Sequence, residues 1–241
     1  MAPDISTHAL HRADGSATYT TELFHIIAAV NGPVEAQRRD ELPDEAAIEV
    51  NIRPASGVGG PRERWLESVL HSVIRSVLLV HMHPRSLVQT TLQILKMPGG
   101  RIANGKAEIA ILPSLINAAF LALVDAGLPL GTTLTSALVV VGTDGKVAVE
   151  PQTQKELAYC TSIHAMAFNR QGEMLLDEST GSFDLDVWEK VTGAAQSVCL
   201  QALAAVGEDA AMGNGTEETT PWLRQTLEEK VTDATAWRNT T

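Results

Sequence analysis

Gly99-Gly100-Arg101, in the stretch "MPGGRIANGK", has the residue types for holding phosphate. Successive glycine amides can form a nest of N–H donors, and a guanidinium adds a bidentate grip on the same anion. The alternative is an exposed loop between a strand and a helix. Arg101 stands sixteen residues before Asn117 and does not open directly into a helix, as strand–glycine–helix anion sites do. Arg62, Arg64 and Arg75 form a second set. Arg62 and Arg64 follow "SGVGGP" at a helix start, where arginines can grip phosphates. Equally, they can pair with Glu63 and Glu67 or reach a neighbouring subunit. In "HMHPR", His81 and His83 are two apart and could share a metal. No carboxylate or cysteine sits at a diagnostic distance, so a turn between helix and strand accounts for them. Cys160 and His164 invite a thiol-nucleophile reading. On a strand they share a face but lie two steps apart, roughly 13 Å, beyond hydrogen-bond reach. The sequence contains no GxSxG, Walker loop, zinc pair or GxGxxG. No catalytic residue and no metal ligand set emerges from spacing alone.

The pattern predicts the elements that must position these groups: strands, helix, strand, helix, strands, helix. That order is a single mixed α+β domain. "TYTTELFHIIAAVNGPVEA" predicts strands around a turn, with Asn31-Gly32-Pro33 as a breaker, and "AAIEVNIRPASG" a strand ending at Pro54. A helix follows with Pro61 in its first turn. Its apolar face is Trp65, Leu66, Val69, Leu70, Val73, Ile74, Val77 and Leu78. "RSLVQTTLQILKM" predicts the next strand and "PGGRIANGKAE" a Gly-rich loop. "INAAFLALVDAGLPLG" predicts an amphipathic helix, rich in small residues, that packs closely on a neighbour and stops at Gly127 and Pro129. "LTSALVVVG" is a buried strand, and Thr143 to Lys146 a hairpin turn into "VAVEP". Two more strands join at Asn169 to Gly172. A long helix then begins with Ser182 as N-cap and Asp184 and Asp186 in its first turn. "AMGNGTEETT" reads as a linker and the last stretch as a partly helical tail.

The 241 residues are 44% hydrophobic and 20% charged, the composition of a globular chain with a core of ordinary size. A net charge of -11 argues against a free-standing nucleic-acid binder, though not against a few arginines in a shared channel. Cys160 and Cys199 predict free thiols in a reducing compartment. "MAPDISTHALHRADGS" has no signal-peptide core, and no apolar run is expected to reach the length of a membrane span. The sequons at Asn214 and Asn239 then carry little meaning.

Several stretches together resemble one family. "ADGSA" followed by "AAVNGPVEAQRRDELPDEAAIEVNIRPASGVGGPRERWLES" is similar to the first half of RNase PH-like proteins. There, a strand with a Tyr-Gly-Pro-like turn precedes an "RP" strand and an Arg-rich helix start. "INAAFLALVDAGLPL" resembles the family's helix after its catalytic loop, and "VVVGTDGKVAVEPQTQKE" its strand–turn–"DPT"–Glu passage. The resemblance covers Leu10 to Val206. It implies an α+β fold of the ribosomal protein S5 domain 2-like kind over residues 10–210, with 1–9 as an extension and 211–241 as an acidic linker and tail.

Active members of the family are phosphate-dependent 3′-to-5′ exoribonucleases. Their Gly-Gly-Thr-Arg or Gly-Ser-Arg loop holds the attacking phosphate, and a downstream aspartate assists. Counting back from Asn117, the loop arginine falls on Leu112 and the glycines on Ile109 and Ala110, so Leu112, Pro113 and Ser114 are degenerate phosphate-loop positions. The aspartate falls near Thr161, where "AYCTSIHAM" has no acid. The resemblance is greatest to catalytically silent ring subunits of the eukaryotic RNA exosome. It implies a non-catalytic structural subunit without cofactor, in a six-membered ring with other RNase PH-like subunits. It also implies S1/KH cap subunits on one face, a separate hydrolytic exoribonuclease, RNA through the central channel and no membrane. Arg62 is the inherited RNA-binding position, with Arg64 beside it. Nucleus, nucleolus and cytoplasm are the implied locations. The alternatives are an active homohexameric phosphorolytic enzyme, in which Arg101 or a partner arginine replaces Leu112, and an RNA-binding protein acting alone.

Overall fold

The computed structural model describes residues 2–99, 105–203 and 221–239. Alternating apolar residues build a first sheet from β1 (Asp4–Thr7), β2 (Gly15–Thr20), β3 (His25–Glu35), β4 (Ala47–Arg53) and β5 (Ser86–Lys96). The order is β1-β2-β3-β5-β4, with only β4 and β5 parallel among its pairs. A parallel pair needs a crossover, and α1 (Pro61–Val77) supplies it. Pro61 sits at the start of α1, where a missing N–H costs nothing, and Gly60 N–H donates to Glu63 Oε2 at 2.7 Å. Leu66, Leu70, Val73, Ile74 and Val77 are buried along the expected face.

Asn31-Gly32-Pro33 does not end β3. The strand runs on to Glu35 through a cis Gly32–Pro33 peptide, and its register with β5 shifts between Asn31 and Val34. A β-bulge absorbs the triplet, because pairing on both sides holds the strand in place.

α2 (Lys106–Asp125) differs most from expectation. It begins ten residues before Ile116, includes Pro113, and is buried continuously from Ile109 to Leu123. It is not amphipathic, because it lies between two sheets and touches β2 and β3 on one side. On its other side are β6 (Leu134–Val141) and β8 (Ser162–Asn169). By length and composition α2 would pass for a membrane span, contrary to the expectation from the sequence, yet the domain surrounds it. Its small residues allow the close packing anticipated. A Cβ added at Gly15 would lie 2.2 Å from Ala126 N and 2.5 Å from Ala122 O.

The second sheet is antiparallel in the order β7-β6-β8-β9, with β7 at Val147–Val149 and β9 at Met174–Gly181. β6 and β8 are buried throughout. α3 (Gln154–Tyr159) is a short helix that the sequence reading passed over, and α4 (Leu185–Gln201) covers the face opposite α2. The N-cap of α4 is Asp184, two residues after the expected Ser182. α5 (Trp222–Thr235) returns to the domain. Leu223 is buried in the core, Trp222 meets Tyr19 edge-on at 5.7 Å, and Lys230 pairs with the enclosed Asp125 carboxylate.

Candidate functional site

Three segments meet at the start of α2. Gly105 adopts φ +90°, a conformation that favours glycine, and its N–H donates to Glu108 Oε2 at 2.8 Å. The other Glu108 oxygen is 3.0 Å from Arg62 Nε. Lys106 Nζ donates to the Cys160 carbonyl at 2.6 Å. Thr161 Oγ1, at the expected aspartate position, donates to the Gly142 carbonyl at 3.3 Å. Arg62 and Lys106 thus bring positive charge to this end of α2, with Glu108 beside Arg62. Arg64 is exposed and has no ion pair among the described residues. Two residues along a helix, Arg62 and Arg64 face different directions, so they do not form one clamp. Arg75 is held elsewhere, donating through Nη2 to both Glu45 oxygens at 2.9 Å.

The degenerate phosphate-loop positions are not in a loop. Leu112, Pro113 and Ser114 lie inside α2 and all three are buried. One turn on, Asn117 joins the two sheets. Its amide donates to the Tyr19 hydroxyl at 3.2 Å and to the Ser136 carbonyl at 3.0 Å. Its oxygen accepts the Ser136 N–H at 3.0 Å and lies 3.0 Å from Ser136 Oγ. Burial holds the Tyr19 phenol well above its ordinary pKa, so it stays neutral.

Tyr19, Pro113 and Ser114 also line a cleft of about 280 Å³ that Glu150 enters from the segment after β7. Leu138 N–H donates to Glu150 Oε1 at 3.1 Å. Desolvation nonetheless pushes the Glu150 carboxyl up to about 7. Its backbone φ of +52° is uncommon for a residue with a side chain. Neither Tyr19 nor Glu150 is visible as a site from sequence. Glu150 carries a weak signal, an acid placed between the strand "VAV" and Pro151.

The other sequence candidates separate. Cys160 is the C-cap of α3 rather than a strand residue, and its thiol donates to the Leu157 carbonyl. His164 on β8 lies between the Ser179 and Ser162 hydroxyls, at 2.8 and 2.9 Å. Burial lowers its pKa, and Asp177 opposes this. His81 and His83 sit in the turn between α1 and β5. Among the described residues, no group of three or more potential metal ligands occurs. Contrary to the expectation from sequence, the glycine-rich stretch is followed at once by a helix, since Gly105 caps α2 and Lys106 begins it; Gly100 and Arg101 themselves lie outside the described residues.

The pattern of the 3′ exoribonuclease family, domain 1, matches residues 2–129. The Saccharomyces cerevisiae exosome complex component RRP46 is 36% identical over 185 residues, covering 73% of this chain and 81% of that protein. The crystal structure of rice (Oryza sativa) Rrp46 aligns with a TM-score of 0.72 and 26% identity, over 84% of this chain and 92% of that one. An archaeal exosome core chain shares the fold, with a TM-score of 0.66 and 17% identity over 84% of each.

Proposed function

The chain belongs to the 3′ exoribonuclease family, and we propose that it is a non-catalytic structural subunit of the RNA exosome core ring. The similarity to yeast RRP46 over most of both chains supports ring membership. The observation that carries the non-catalytic reading is α2 itself. At the positions where counting back from Asn117 places the loop and its arginine, this chain has an unbroken helix with Leu112 fully buried. A leucine there offers an attacking phosphate no donor, and a buried helix offers no free amides.

In this role the chain pairs with other RNase PH-like subunits in a six-membered ring, occupying the position of exosome component 5. S1/KH cap subunits sit on one face, and RNA passes through the channel to a separate hydrolytic exoribonuclease. Arg64, exposed and without an ion pair among the described residues, and Arg62, at the start of α1 and paired with Glu108 of α2, are the RNA-facing candidates. The RNase PH-like domain is residues 10–210. Outside residues 10–210, β1 pairs with β2, and α5 buries Leu223 in the core. The complex works in nucleus, nucleolus and cytoplasm.

The test is phosphorolysis. The purified chain is incubated with 5′-labelled RNA and inorganic phosphate. No shortening and no nucleoside diphosphate release is expected; nucleoside diphosphates formed by this chain alone would overturn the non-catalytic reading.

A further inference from the structure

The cleft beside Ser114 has the wrong charge for an anion. Among the described residues it is lined by three acidic residues, Asp4, Glu22 and Glu150, and by Lys96. With Glu150 ionised, three carboxylate residues line the cleft against Lys96 and the chain's N-terminal amine, which also acts on Glu150, so the lining remains net negative. Lys96 is also engaged, since its Nζ donates to the Glu22 carbonyl at 2.8 Å. At the floor, Glu150 uses one oxygen for the Leu138 N–H, and its second has no hydrogen-bond partner among the described residues. Ser114 is only 6% exposed, opens onto the cleft, and its hydroxyl likewise has no partner among the described residues. Neither atom is among the fully enclosed groups left without a partner, so both open onto the cleft, where a donor from outside can reach them. Leu23, Phe24, Pro113 and Pro151 form apolar walls around them.

We propose that this cleft receives the side chain of one arginine presented by a partner protein. A guanidinium is planar and has donors in a fixed fork, so it can serve a carboxylate and a neighbouring hydroxyl together. Its weakly hydrated flat faces suit apolar walls. At about 280 Å³ the cleft holds one long side chain and not a nucleotide chain, whose phosphates Asp4, Glu22 and Glu150 would repel. The ionisable groups acting on Glu150 are the Tyr19 phenol on β2, the Cys199 thiol on α4 and the chain's N-terminal amine, whose charge favours the ionised carboxyl. Burial holds the phenol and the thiol above their ordinary pKa, so both are neutral near pH 7 and only the amine offsets the carboxylate. A bound guanidinium would favour the ionised carboxyl, so binding releases a proton where Glu150 is partly protonated. This inference does not depend on ring membership.

The test is a titration of the isotope-labelled full chain with the peptide Ac-Gly-Arg-Gly-NH2, followed by NMR. Saturable shifts are expected at Ser114, Leu138 and Glu150. A citrulline peptide, which keeps the shape and loses the charge, should bind about tenfold more weakly or worse. Glu150→Gln should weaken arginine binding about as much while retaining the native spectrum, and Ser114→Ala should weaken it less. Arginine binding should also weaken as pH falls through about 7. Equal binding of the citrulline peptide, shifts confined to other residues, or no saturable binding would overturn the proposal. So would inorganic phosphate displacing the arginine peptide from these residues. Should Glu150→Gln fail to fold, the citrulline comparison decides. Ring stoichiometry is measured separately, so failure here leaves the ring role standing.

Discussion

Replacing Asn117 with alanine should destabilise this domain more than almost any other polar substitution. The Asn117 amide serves the N–H and the C=O of Ser136 and also donates to Tyr19. In Asn117→Ala those two backbone groups lose their partner in a core that water does not reach. Each buried group left unpaired costs about 1–3 kcal/mol, so the pair costs about 4 kcal/mol. The Ser136 hydroxyl adds little, because it still donates to the Pro113 carbonyl at 2.8 Å. In a domain of this size, about 1 kcal/mol moves Tm by 2–4 °C, which predicts a fall of roughly 8–16 °C. Thermal and urea unfolding followed by circular dichroism measure it. Ser136→Ala is the control, since it keeps both backbone bonds to Asn117 and should cost about 1 kcal/mol. If Asn117→Ala is no worse than Ser136→Ala, the amide does not join the sheets in the way described.

Gly15→Ala should be poorly tolerated, because its Cβ would meet α2 backbone at 2.2 Å; a loss of about 3 kcal/mol or failure to accumulate is expected in unfolding and expression assays. Glu150→Gln should alter the pH dependence of Tm. The folded-state pKa of Glu150 is raised from 4.5 to about 7, so its ionisation opposes folding increasingly as pH rises between those values. The Tm of the variant minus that of the wild type should therefore increase from about pH 5 to about pH 8. Lys230→Met should lower Tm by loosening α5, since the enclosed Asp125 loses its ammonium partner and keeps the Ser16 N–H at 2.8 Å. Arg64→Glu should leave Tm within about 2 °C of wild type, as expected for an exposed residue, but weaken crosslinking of RNA to the assembled ring.

The parts of the fold that were legible in sequence are those with a one-sided environment. α1 has one apolar face and a proline at its start, and the hairpin after β6 has Asp144-Gly145. The start of α2 was hidden because a helix packed on all sides has no polar stripe, and because Pro113 reads as a stop signal. β3 was shortened in the reading because a bulge keeps a strand continuous through residues that otherwise break it. α3 had a readable signal, Thr153 followed by Glu156 as a capping box, and was missed because only six residues follow the cap. Of the site, the arginines at the start of α1 were visible, as their residue type and position mark them. The partner of Arg62 was not, because Glu108 is distant in sequence. Glu150 was not either, because its desolvation depends on β2, α2 and β6 closing around it.

Whether the chain sits in a ring is decided by native mass spectrometry of the tagged chain, purified from its own cells at low salt. A ring subunit will appear as a hetero-oligomer with one copy of this chain per ring alongside other RNase PH-like subunits. A homohexamer of this chain alone would contradict it.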